Sequence, residues 1–126
     1  MYFFRIIALF LTIVAWSTVA AETDRPPPLD CKVGPLHKTY GQTQWLVYAC
    51  DDSRSVVVVS DRDNPALPFY FIIYVKLNRD IQLYGEGDGK KAATRAAFDD
   101  LKKLTETDVA DLVGQAQVIA TTDGAE

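Results

Sequence analysis

The sequence predicts an α+β fold: a four-stranded antiparallel meander followed by two C-terminal helices packed on one face, after a cleaved signal peptide. Three observations predict it. Four short runs rich in β-branched and aromatic residues stand in the middle of the chain, separated mostly by brief polar connections. After Gly89 the apolar spacing lengthens to every third or fourth residue, the period of a helix. The chain opens on the charged, apolar and small-residue order of a secretory leader.

In that leader Arg5 is the charge, Ile6 to Trp16 is apolar apart from Thr12, and Ser17-Thr18-Val19-Ala20-Ala21 supplies the small residues of a cleavage site. A signal peptide is expected over 1–21. The apolar stretch is much shorter than the roughly 20 residues of a spanning helix, which favours a leader over a signal anchor. Cys31 lies too far beyond it for a lipid-anchored terminus. The mature chain is therefore expected in the periplasm or secreted, with no membrane association after cleavage.

Residues 22–38 follow, with Pro26, Pro27, Pro28 and Pro35. Proline lacks an amide donor and locks φ, so this segment is expected to be an extended arm rather than a helix interior or central strand. A single domain is expected over 39–117. Its strands are Gln44–Cys50, Ser55–Ser60, Phe69–Lys76 and Ile81–Gly85, and the turns Asp51–Arg54 and Asn78–Asp80 make neighbours antiparallel. Ala93, Ala96, Ala97, Leu101 and Leu104 mark the first helix. Thr105 is the expected N-cap of the second, with Asp108 near its first-turn amides. Val109, Leu112, Val113 and Ala116 are its stripe, Gly114 weakens it, and 118–126 is expected to be a flexible tail.

Cys31 and Cys50 are the only cysteines. In an oxidising compartment such a pair forms a disulfide. A structural metal site needs about four ligands. A catalytic thiol needs a histidine base, and the chain has one histidine, His37. Closing a loop of about 20 residues stabilises by about 3 kcal/mol on the chain-entropy estimate.

The chain carries 13 basic and 17 acidic side chains, a net charge of −4. That balance argues against nucleic acid, whose phosphates demand a basic patch. It also argues against charge-driven binding to anionic lipid.

Alternation along the third expected strand puts Phe69, Phe71, Ile73 and Val75 on one face, which the helices are expected to cover. The opposite face then gathers Tyr48, Tyr70, Tyr74 and Tyr84. Tyrosines suit a half-wet surface, and an exposed aromatic patch marks an interaction site. Alternatively, a Cys31–Cys50 bond draws the arm across that face and the rings form a secondary core.

Acidic loops at Asp61 and Asp63, and at Glu86 and Asp88, are the other candidate contacts, or the carboxylates of a small enzyme. Asp61-x-Asp63-Asn64 opens like a calcium loop but lacks its central glycine and distal glutamate. Gly85-Glu86-Gly87-Asp88-Gly89-Lys90 lacks the Ser or Thr of a phosphate loop and the third glycine of a dinucleotide fingerprint. No metal, cofactor or catalytic set is expected.

Tyr48-Ala49-Cys50-Asp51-Asp52 with the valine strand after it resembles the Tyr-x-Cys opening of bacterial exported inhibitors of C-type lysozymes, over about fifteen residues. That resemblance implies an all-β barrel and a hydrolase inhibitor. The two C-terminal helices and the missing Ser-Gly-x-x-Tyr loop depart from it. The sequence thus points to a small exported non-catalytic binding module, with a protein partner or a homodimer, and with hydrolase inhibition and carboxylate-dependent catalysis as alternatives.

Overall fold

The computed structural model describes residues 26–123, with no account of the Asp123 side chain. The leader expected over 1–21 lies outside the described residues. The elements are β1 (Cys31–Tyr40), β2 (Thr43–Cys50), β3 (Val56–Ser60), β4 (Phe69–Val75), β5 (Ile81–Gly87), α1 (Lys91–Leu101) and α2 (Glu106–Asp123). The strands form one antiparallel sheet in the order β1-β2-β3-β4-β5. The sheet is an open meander, not the barrel that the lysozyme-inhibitor resemblance implies.

The meander has five strands rather than the expected four. The addition is β1, in the second half of the segment expected to be an arm. Proline is tolerated there because β1 is an edge, where a missing N–H can face away from the ladder. Register shifts between Cys31 and Val33, and between Val33 and Leu36, absorb the irregularity around Gly34-Pro35. Gly41 and Gln42 then close a two-residue hairpin, both with positive φ, 58° and 63°.

The inner face is apolar at every strand. Trp45, Val47, Val56, Val58, Phe71 and Ile73 are buried on it, beneath Ala97 and Leu101 of α1 and Val109, Leu112, Val113 and Ala116 of α2. Trp45 centres this core: its ring lies 5.4 Å from that of Phe71. Its indole N–H donates to the Tyr40 carbonyl at 3.1 Å and to Thr43 Oγ1 at 2.9 Å. Burial pushes the Tyr40 phenol up to about 12.

The helices cover this face unevenly. α2 packs over β1 and β2, while α1 docks at the β1–β2 hairpin. There the Gly41 amide donates to Asp100 Oδ2 at 2.6 Å. A Cβ at Gly41 would overlap the backbone of Ala96 and Ala97. Thr105 and Asp108 form a reciprocal capping box: Thr105 N donates to Asp108 Oδ2 at 2.8 Å, and Asp108 N donates to Thr105 Oγ1 at 3.2 Å. The bond from the Thr105 amide, then that from its side chain, holds the Asp108 carboxyl below its ordinary range. α2 runs to Asp123, so the tail expected from 118 is helical as far as that residue, and Ile119 packs against the core.

Two connections are pinned by side chains. Asn64 is buried; its Nδ2 donates to the Gln44 carbonyl, and its Oδ1 accepts from Ala66 N, each at 2.8 Å. The glycine-rich run packs on this loop, with the Gly89 amide donating to the Pro68 carbonyl and the Lys90 amide to that of Pro65. At the β2–β3 turn Asp52 accepts from the Arg54 and Ser55 amides and from Ser55 Oγ, while Ser55 Oγ accepts from Val75 N. Burial raises the Asp52 carboxyl, but the Ser55 hydroxyl, the two amides and the Arg54 charge outweigh it and hold the group below its ordinary range.

Candidate functional site

No described helix covers the outer face of the sheet. Cross-strand register lines up Tyr48–Val57–Ile72–Tyr84 across four strands, and Leu46–Val59–Tyr70–Glu86 beside it. Tyr74 stands opposite Gln82 in the next row. None of the apolar or aromatic members of these rows is fully buried, and Tyr70 is 37% exposed. On β2 and β3, and on β4 beyond Phe69, the inner positions that alternate with them are buried, so the half-wet state there belongs to the outer face.

The cysteines are joined, with an S–S distance of 1.98 Å. A disulfide and the absence, among the described residues, of a helix long and apolar enough to cross a membrane are both compatible with an extracellular protein. Asp30 and Asp51 exchange two bonds beside the bridge: Asp51 N to the Asp30 carbonyl at 2.7 Å, and Asp30 N to Asp51 Oδ1 at 3.2 Å. From that corner the chain leads back to Pro26, which lines a groove with Tyr70, Ile72, Tyr84, Gly85 and Glu86. Five extended residues reach about 17 Å, the width of three to four strand spacings. The arm therefore straps the outer face from the β1 corner towards β5.

The arm lies on the tyrosines' side of the sheet, yet it leaves a groove of about 480 Å³ between Pro26 and the rings. The Tyr70 hydroxyl donates to Glu86 Oε2 at 2.8 Å. That bond, then a little burial, then the Glu86 charge raise the phenol above its ordinary value. The Tyr84 hydroxyl donates to Gln82 Oε1. The groove thus offers ring faces, a tethered phenol and a carboxylate.

The acidic candidates fall in separate surroundings. Glu86 is the partner of Tyr70. Asp61 accepts from the Arg62 amide at 2.7 Å and lies 4.0 Å from His37 Nδ1. His37 is largely exposed, so that contact carries little energy. Asp63 and Asp88 face solvent. Among the described residues no group of three or more His, Cys, Asp or Glu gathers to hold a metal ion, and Asn64 of the calcium-like stretch is engaged in the loop's own bonds. Pro26 belongs to the arm that the Cys31–Cys50 alternative draws across this face, though the sequence does not single it out.

Compared with known proteins, the chain matches no family model, and it has no significant match among the curated proteins or the solved structures.

Proposed function

We propose that this chain is an exported, non-catalytic binding module whose contact surface is the outer sheet face, at the groove between Pro26 and Tyr70, Ile72 and Tyr84. The observation that carries this reading is the asymmetry of the sheet: helices bury one face over β1 to β4, while the other holds a row of aromatic and β-branched side chains at intermediate exposure. Ordinary surfaces seldom concentrate tyrosines this way, whereas recognition surfaces do. Glu86, held by Tyr70, adds a fixed acceptor that selects for a donor on the partner.

Affinity capture tests it, using the chain from residue 22 as bait beside its Tyr70→Ser/Tyr84→Ser variant. Partners retained by the first and lost by the second are expected. Identical profiles from the two baits, or none from either, would refute the reading. Lysis of bacterial cells by a C-type lysozyme is the side test for the inhibitor alternative, which a rate unchanged by added protein would remove.

A further inference from the structure

The opposite side of the sheet has its own opening, which shares only Gly85 with the lining of the tyrosine groove. The helices crowd the β1–β2 end, so the inner surface of β5 is left beside the exposed flank of α1. A groove of about 480 Å³ runs between them. Its floor is the half-buried Phe69 over the buried ring of Phe71, and the residue opposite Phe71 on β5 is Gly85, which puts no side chain there. A Cβ at Gly85 would stand 3.0 Å from both rings, so any larger residue would fill the floor. Phe98, 40% exposed, is the far wall.

β5 differs from an ordinary protected edge. It pairs only with β4, in unbroken register from Ile81 to Gly87, and it carries neither proline nor bulge. Its other backbone edge has no strand partner among the described residues, which makes it a template for an added strand. An exposed edge strand beside a pocket for alternate side chains is the arrangement in which extended peptides bind by strand addition.

Charge selects the occupant. Lys91 and Arg95 stand one turn apart on the groove wall, and neither has a carboxylate within ion-pair distance among the described residues. Asp99, the acid on the same wall, pairs with Lys102 at 2.9 Å and also feels the Arg95 charge, which leaves the wall with an excess of positive charge. We propose that β5 and α1 receive an extended acidic peptide strand, which hydrogen-bonds to the β5 edge, seats an aromatic or aliphatic side chain over Phe69 and Phe71, and sets a carboxylate beside Lys91 and Arg95.

The probe is a capped peptide, Ser-Glu-Val-Phe-Val-Glu-Ser, titrated into labelled protein while amide shifts are followed. Shifts concentrated on Ile81–Gly87 and Lys91–Asp99 are expected, and a peptide N-methylated at alternate residues fails to produce them. Lys91→Glu/Arg95→Glu changes only exposed side chains and is expected to weaken the acidic peptide about fivefold while favouring the peptide with Lys in place of Glu. Gly85→Leu fills the floor and abolishes binding. No shift at millimolar peptide, shifts confined to the tyrosine face, or indifference to the charge reversal would each overturn the proposal. So would a dimer in light scattering whose interface protects the β5 amides, since the edge would then serve a second copy.

Discussion

The two faces of one sheet are built from nearly the same residues and end in different states. Inner Val56 and Val58 are fully buried, while outer Val57 and Val59, on the same strand, are not. Inner Phe71 is sealed; outer Tyr70 and Tyr74 keep part of their rings in water. Composition does not separate the faces, since both are apolar or aromatic. What separates them is cover: two helices on one side, a strap of a few residues on the other. A face covered by helices acts as a core, and a face crossed by a tether acts as a surface whose openness the tether sets.

The sharpest way to break this contrast is truncation at matched depth. Trp45→Ala should cost about 3–5 kcal/mol, because it empties the best-filled volume of the inner face. Tyr74→Ala on the outer face should cost well under half of that, and guanidinium melts of the pair measure the gap; equal losses would mean that the outer face is also core. Next comes the tether. Cys31→Ala/Cys50→Ala should cost about 3 kcal/mol and raise acrylamide quenching of tyrosine fluorescence as the arm leaves the outer face.

Asp52→Asn should cost about 2 kcal/mol, since it weakens charged hydrogen bonds to two amides and the Ser55 hydroxyl. The pH dependence has a definite sign. The folded pKa of Asp52 lies below its ordinary value of 3.8, so this stability is present above that pH and is lost as pH falls through the folded pKa. Melts between pH 6 and 2 should show wild type converging on Asp52→Asn at the acidic end. Thr105→Ala removes one half of the α2 capping box and should cost about 1 kcal/mol in the same melts. The smallest effect is spectroscopic: Tyr70 should ionise above the ordinary tyrosine value, and Glu86→Gln should bring it down, as ultraviolet absorbance at high pH reports.

Much of this architecture was legible because it is local. Alternation in Phe69–Val75 assigned both faces of β4 correctly, and the spacing of Val109, Leu112, Val113 and Ala116 located the buried stripe of α2. The Thr105 cap was readable because its partner, Asp108, lies within the same turn. β1 was missed because Pro35 argues against a strand on propensity, and only the topology reveals that the strand is an edge. The candidate surfaces were half legible. The four tyrosines followed from alternation, but Pro26 beside them depends on a bridge and a backbone exchange far along the chain. The channel between β5 and α1 depends on where α1 docks, which no spacing in the sequence encodes.

That docking comes down to a missing methyl group. At the hairpin tip, Gly41 lets two main chains meet with nothing between them, against the small side chains of Ala96 and Ala97. A helix drawn in this tightly at one end cannot also lie across the far strands. The smallest residue of the first turn thus fixes the seat of the helix that also walls the channel, and a side chain added there would act as a wedge against that seat.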